Sequence, residues 1–272
     1  MESPSRAAFF LAGNRRKGSN PRHRIAGGLF IVFWLKQMAR QALDLLYPRV
    51  CAGCGGPVGA EEHHVCWNCS ADMPYVRSPF CARCGDPVDG RVDHSFVCYS
   101  CSDREPWFDL ARSAVRFREL PQKLIRALKY DAALWYRMDL AHWLRSCWES
   151  QFREVEVDAV ACVPLHATRV RERGYNQARV LGVLLARRLG KPFIPGCLQR
   201  IRMTPTQTHL TAPQRAANVR GAFKAKNPVW VSGLRIVLVD DVMTTGATVN
   251  ECARALKEAG AARVYVVTVA RG

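Results

Sequence analysis

Two adjacent acids and three threonines carry the most specific chemistry in the chain. They lie in the stretch Ile236-Val237-Leu238-Val239-Asp240-Asp241-Val242-Met243-Thr244-Thr245-Gly246-Ala247-Thr248. The hydroxyls of Thr244, Thr245 and Thr248, with backbone N–H groups at the start of a helix, suit a phosphate. Asp240 and Asp241 then face whatever that phosphate is attached to, and vicinal sugar hydroxyls donate well to carboxylates. A 5-phosphoribosyl group meets both demands. Earlier in the chain Arg169, Arg171 and Arg173 crowd together, and the planar guanidinium fork matches phosphate oxygens. A third group holds metal-binding chemistry: four CxxC pairs at Cys51/Cys54, Cys66/Cys69, Cys81/Cys84 and Cys98/Cys101.

The elements that must position these groups follow from hydrophobic periodicity. Ile236 to Val239 is a short β-favouring apolar run, as in a strand buried on both faces, and two acids stand where it ends. Val249, Cys252, Ala253, Leu256 and Ala259 recur at helical spacing, so the Thr/Gly turn opens a helix. Asp158 to Val163 is a second buried strand, Pro164 to Arg169 a turn, and an arginine-rich loop through Gly174-Tyr175-Asn176-Gln177 leads into a helix that runs through Leu189. Arg112 to Phe117 alternates like a strand. Leu120 to Trp148 reads as helices with Leu124, Ile125, Leu128, Leu140, Leu144 and Trp148 as core, and valine-dense Arg263 to Val269 is a buried strand. Strands alternating with helices predict an α/β fold with a parallel sheet. Ligands of such sheets sit beyond the carboxyl ends of the strands. The acid-bearing turn and the arginine-bearing turn both fall there, so the arginines would meet a pyrophosphate at the edge that holds the acids. Lys129-Tyr130 lies close to the helical core positions, and the sequence alone does not assign it to the site.

The cysteine stretch is an internal repeat. Cys51-Ala-Gly-Cys-Gly-Gly-Pro-Val returns as Cys81-Ala-Arg-Cys-Gly-Asp-Pro-Val. Paired thiolates separated by two residues suit tetrahedral Zn²⁺. One zinc is expected on Cys51, Cys54, Cys66 and Cys69, a second on Cys81, Cys84, Cys98 and Cys101; crossed pairing between the repeats is the alternative. So short and polar a stretch folds only with the help of its metals. Cys147, Cys162, Cys197 and Cys252 fit buried apolar positions. Thiolate zinc sites and reduced thiols imply the cytoplasm.

The formal charge of +17 is unevenly spread. Residues 51–111 hold four Lys/Arg against nine acids, whereas residues 112–226 hold 22 against eight. Within 169–226 thirteen Lys/Arg face a single acid, Glu172, a density that suits a polyanion, a sugar pyrophosphate or nucleic acid. The acidic ribbon stretch fits a structural or docking role better than direct phosphate binding. No apolar run reaches the roughly 18 residues that span a bilayer. Basic residues 1–37 are expected to be a disordered leader, from a misassigned start codon, and 38–50 an amphipathic helix. A double zinc ribbon over 51–105 and an α/β domain over 106–272 follow.

The Asp240–Thr248 segment resembles the phosphoribosyl-pyrophosphate (PRPP) motif of type I phosphoribosyltransferases. Arg173-Gly174-Tyr175-Asn176-Gln177, the block Arg202, Thr204, Gln207, Arg215, Asn218 and Ala222-Phe223, and the paired ribbons sharpen the resemblance to the ComF/GntX family over roughly residues 40–272. The resemblance implies a type I phosphoribosyltransferase fold with a hood over the site, formed by the block containing Arg202, Gln207, Arg215 and Asn218. It implies that Asp240 and Asp241 contact the ribose while Met243, Thr244, Thr245, Gly246, Ala247 and Thr248 wrap the 5′-phosphate, with Mg²⁺ accompanying PRPP. Arg169, Arg171 and Arg173 would bind the pyrophosphate. Thr244 stands where purine-type members carry an acid, which disfavours a 6-oxopurine acceptor. For Asn176, Gln177 and Asn218, capping or turn stabilisation is the competing reading. The family further implies a part in natural competence, with single-stranded transforming DNA and competence proteins as partners. Three activities are compatible with these residues: pentosyl (glycosyl) transfer to an unassigned acceptor, PRPP sensing without turnover, and DNA handling on the basic 169–226 surface.

Overall fold

Four parallel strands make the central sheet, ordered β1 (Leu110–Arg116), β6 (Arg263–Arg271), β5 (Arg235–Met243), β2 (Ala159–Cys162). The computed structural model describes residues 38, 49–59, 62–90, 92, 94–204 and 211–272. The expected leader, most of the expected helix over 38–50, and Gln207 lie outside the described residues. Valine-rich strands form this sheet because both of its faces are covered. The cysteine stretch holds two short helices, α1 (Trp67–Ala71) and α2 (Tyr99–Asp103). One face of the sheet carries Leu124, Ile125 and Leu128 of α3 (Glu119–Tyr130), Leu140, Trp143 and Leu144 of α4 (Arg137–Gln151), and Leu181 and Leu185 of helix 177–189. The other face carries Val249, Cys252 and Leu256 of helix 247–258 and the hood residues Leu198 and Phe223. Among the described residues no helix is long and apolar enough to cross a membrane.

The strand that bears the acids is longer than its apolar run suggests. The ladder from β5 to β6 continues through Asp240↔Thr268 and Val242↔Ala270 to Met243↔Arg271, while β2 pairs with β5 only up to Cys162↔Val239. An equally long neighbour on one side keeps β5 extended past the end of its neighbour on the other. Asp240 and Asp241 therefore lie within the strand, beyond the carboxyl end of β2.

Residues 50–272 form one compact unit in which the cysteine stretch packs on the outer edge of β1. Tyr75 makes an antiparallel bridge to Val115, Val76 N–H donates to Ala114 O (2.9 Å), and Ala111 N–H donates to Arg83 O (2.8 Å). The edge strand is thereby paired rather than left open. At the far edge, Val160 N–H donates to Pro192 O and Ile194 N–H to Val160 O, both at 2.9 Å. Gly85 sets the approach of the second ribbon to β1. Its φ is +66°, and a Cβ there would stand 2.7 Å from Ala111 O. Gly85→Ala should destabilise the chain by about 1–3 kcal/mol; thermal unfolding checks this, and an unchanged Tm would contradict it.

Candidate functional site

Alternation along a strand sends neighbouring side chains to opposite faces, and the acid pair obeys it. Asp241 turns to α3 (Glu119–Tyr130), where Lys129 Nζ lies 2.9 Å from its Oδ1. Asp240 turns to the hood side, where Cys252 and Arg200 feel its charge. Both carboxyls are nearly excluded from solvent, at 9% exposure for Asp240 and 3% for Asp241. This departs from the open rim that the sequence reading gives them. Asp240 Oδ1 accepts the Asp241 backbone N–H at 2.9 Å, while Asp241 Oδ2 is buried with no hydrogen-bond partner. Burial, then the neighbouring Asp241 charge, raises the Asp240 pKa to about 8, against the opposing pull of Lys129 and Arg200. Burial disfavours the Lys129 ammonium, yet the Asp241 carboxylate outweighs it and holds the lysine pKa above its ordinary value.

The arginine segment is a short helix rather than the expected loop. In α5 (Ala167–Arg173) His166 caps the first turn by accepting the Thr168 N–H, and Gly174 ends it in the left-handed region (φ 82°). Helical spacing places Arg169 and Arg173 one turn apart on a shared face and sends Arg171 elsewhere. Arg173 sits over the Tyr130 ring, 5.4 Å from its centroid, and donates to buried Gln177 Oε1 at 2.7 Å. Arg169 pairs with Glu172 at 3.1 Å, and Arg171 is exposed. Asn176 caps α6 (Gln177–Leu189), accepting from Ala178 N–H and donating to Val163 O, each at 2.9 Å. Capping is thus its role here. The Tyr175 hydroxyl donates to Leu128 O. Leu128, Lys129 and Tyr130, at the end of one helix, accordingly reach Tyr175, Asp241 and Arg173. That junction brings the acid strand and the arginine segment together.

The hood is a two-stranded antiparallel pair, β3 (Leu198–Arg200) with β4 (Phe223–Ala225), preceding and following α7 (Ala212–Val219). Arg200 lies over Phe223, 5.4 Å from the ring centroid, and donates to Thr204 Oγ1, while its Nε is buried without a partner. Arg202 clamps backbone, donating to Asn218 O (3.1 Å) and Arg220 O (2.7 Å). Gly246, in the left-handed region (φ 79°), caps α8 (Ala247–Glu258), and Ala247 N–H donates to Thr245 Oγ1 at 3.4 Å. A cleft of about 600 Å³ opens over Thr244 to Ala247, walled also by Met243, by Arg215 of α7, by Arg271 of β6 and by Tyr99 of the second ribbon. Neither Asp240 nor Asp241, nor any of the three α5 arginines, lines it. Arg200 and Arg271 are the side chains that the sequence reading missed as parts of this region, and Lys129 is one it left unassigned. The signals were faint: Lys129-Tyr130 adjoins a helical core, and Arg200 and Arg271 each end a strand.

Each repeat brings its own four cysteines together. In both quartets, 51/54/66/69 and 81/84/98/101, all Sγ atoms lie within 4.8 Å of one another. Cys54 to Cys66 is 3.7 Å and Cys84 to Cys98 is 3.6 Å. A tetrahedral zinc with bonds of about 2.3 Å requires sulfur separations near 3.8 Å, so both sites fit structural zinc with in-repeat pairing. Backbone N–H groups of Gly53 and Cys66 donate to Cys51 Sγ at 3.4 and 3.3 Å, and that of Cys98 donates to Cys81 Sγ at 3.3 Å. Burial opposes the Cys51 thiolate, but such donors draw its pKa down to about 6, while burial and neighbouring sulfurs push Cys69 up to about 12. Four thiols so close do not all ionise without a cation to hold them. His64 faces Asp139 rather than a quartet, its backbone N–H 3.0 Å from Oδ1.

The chain matches the double zinc ribbon domain family over residues 42–102 and the phosphoribosyl transferase domain family over residues 177–272. Competence protein F of Haemophilus influenzae is 30% identical over 227 residues, 81% of this chain and 96% of its own length. DNA utilization protein YhgH of Salmonella typhimurium is 32% identical over 230 residues, 84% of this chain and 99% of its own. The chain belongs to the ComF/GntX family. Competence protein ComFC of Bacillus subtilis is similar at 26% identity over 223 residues, 77% of this chain and 85% of its own. The ComF architecture here joins a double zinc ribbon to a type I phosphoribosyltransferase fold. The transferase match begins at Gln177, although β1, β2 and α3 to α5 complete the same sheet before it.

Purified protein should carry two zinc ions per chain by elemental analysis, and Cys54→Ser should lower the content to about one; two zinc ions retained in that variant would contradict the in-repeat assignment. A second outcome concerns pH. Asp240 holds its proton more tightly folded than unfolded, so its stabilising contribution is complete below the ordinary carboxylate range and is lost as pH rises through about 8. Asp240→Asn removes that loss, and its Tm advantage over the wild type should widen between about pH 4 and about pH 8. A difference that stays flat across that window would refute the raised pKa.

Proposed function

We propose that the chain binds PRPP with its Mg²⁺ at the carboxyl edge of β5 and uses that site in handling single-stranded DNA during natural competence. The observation that carries the reading is an unpaired, buried acceptor, Asp241 Oδ2, in an acid pair that leads within a few residues to the threonine-lined, glycine-capped start of α8. In this reading the N–H groups and hydroxyls of Thr244 to Thr248 hold the 5′-phosphate. Lys129 occupies Asp241 Oδ1, leaving Oδ2 for a ribose hydroxyl. Arg169 and Arg173, one turn apart on a shared face of α5, meet the pyrophosphate, while Arg171 faces elsewhere; Arg202, Arg215 and Asn218 belong to the hood above.

For transfer, a nucleophile bonds to C1 of the ribose while the bond from C1 to the pyrophosphate oxygen breaks, its electron pair leaving with Mg²⁺-pyrophosphate. The oxocarbenium charge that develops on the sugar would be stabilised by Asp241, and the charge on the leaving group by Mg²⁺ and guanidinium groups. The acceptor base is not assigned by any residue of the site. The names of the relatives, Competence protein F and DNA utilization protein, support the DNA side of the reading. So do the exposed Arg169, Arg171, Arg179, Arg187, Arg188 and Lys191 on α5, α6 and the turn after them, a cationic surface suited to a strand of phosphates. Thiolate zinc sites fit a reducing compartment, the cytoplasm.

Calorimetric titration of Mg²⁺·PRPP should give saturable binding to wild type, and binding weakened by about a hundredfold in the Asp240→Asn/Asp241→Asn double variant, as two charge-assisted contacts are lost. Equal binding by the two proteins would overturn the site assignment. Pyrophosphate release in the same samples separates a transferase from a sensor.

A further inference from the structure

We propose that Arg271 is a phosphate ligand of the cleft over Thr244 to Ala247, and that the second zinc ribbon holds it in place through Asp86. The proposal rests on the phosphate reading of that turn and adds a residue and a wall to it. Arg271 is the last residue of β6 and stands in register with Met243, directly before the threonines. It lines the cleft together with Thr244, Thr245 and Gly246. Its side chain is only 7% exposed. Nε donates to Asp86 Oδ1 at 2.8 Å, but Nη1 is buried with no hydrogen-bond partner. A buried guanidinium donor without an acceptor is costly, and a phosphate oxygen at the start of α8 would supply that acceptor.

The ribbon side of the cleft explains why a cation is needed there. Cys84, Cys98 and Cys101 contribute to that wall, and four thiolates around Zn²⁺ carry a net charge of about −2. A phosphate dianion beside such a centre is repelled unless a cation stands between them. Arg271 meets this requirement, because it lines the cleft beside Cys84 and pairs with Asp86 on the same metal loop. Asp86 lies two residues beyond Cys84, so the metal loop and the phosphate ligand share one ion pair. Among the described residues the loop of the first quartet is fastened to helices instead, through Lys123 Nζ to Ala52 O (2.7 Å) and His64 to Asp139. The two ribbons therefore divide their work, one anchoring the fold and the other completing an anion site for a sugar 5-phosphate.

Ribose 5-phosphate is the probe, titrated by calorimetry into the full chain with zinc content measured in each sample. Arg271→Gln should weaken binding by about tenfold or more through loss of a charge-assisted contact. Asp86→Asn should weaken it severalfold with both zinc ions retained, and Lys123→Ala, at the first ribbon, should leave it unchanged. Wild-type affinity in Arg271→Gln would overturn the proposal while leaving the phosphoribosyl site intact; where that variant loses zinc, wild-type affinity in Asp86→Asn overturns it instead. No binding to the wild type would sink both readings. Competition separates the sources of the phosphate. Displacement by a 5′-phosphorylated oligodeoxynucleotide, but not by its 5′-hydroxyl counterpart, assigns a strand end; displacement by PRPP alone assigns the free sugar phosphate; displacement by neither overturns the proposal.

Discussion

A charge pair between half-buried Lys129 and buried Asp241, at 2.9 Å, is the constraint around which the site is arranged. Removing two such charges from water costs several kcal/mol each, and the pair persists only if its attraction and hydrogen bonding offset that cost. Its partners are fixed accordingly. Lys129 is carried by a helix whose Leu124, Ile125 and Leu128 are fully buried against the sheet, so the ammonium has a defined position. Asp241 is carried by a strand paired to its last residue. The neighbouring Tyr130 supports Arg173, and Leu128 O receives the Tyr175 hydroxyl. One helix end therefore sets the spacing between the acids and the first arginine-bearing helix.

A different balance governs Asp240. Among the described residues no cation pairs with it; Arg200 and Lys129 act on it from a distance, and burial dominates. Two chemically identical neighbours thus differ in state because a strand turns them to opposite environments. Asp241 touches Lys129, and Asp240 is held toward its protonated form. A site built this way keeps one strong acceptor ready and changes charge mainly through the other.

Most of the architecture was legible in the sequence because it rests on local periodicity. Arg112–Phe117, Asp158–Val163 and Arg263–Val269 read as strands and are strands within a residue or two at most ends, and the cysteine repeat led directly to the two quartets. The differences arise where tertiary partners decide. Only the length of β6 reveals that β5 extends through Met243. His166 and Gly174 turn the arginine segment into a helix, although its composition reads as a loop. Lys129, Arg200 and Arg271 carry no motif of their own; their importance comes from what the fold places beside them. Asn176, flanked by family-like residues, proved to be a helix cap, which its residue type also permitted.

The pairing of residues 74–76 along β1 has a consequence for how the molecule behaves when metal is scarce. A parallel sheet with an unsealed margin offers a row of unsatisfied amides and carbonyls to any other extended chain. Here that margin is closed by a segment linking the two metal loops, and the metals supply much of the order of those loops. Starvation for zinc would loosen the seal first and leave the enclosed helices and strands largely intact. The depleted molecule would then be a folded body with one adhesive side, prone to self-association long before it unravels.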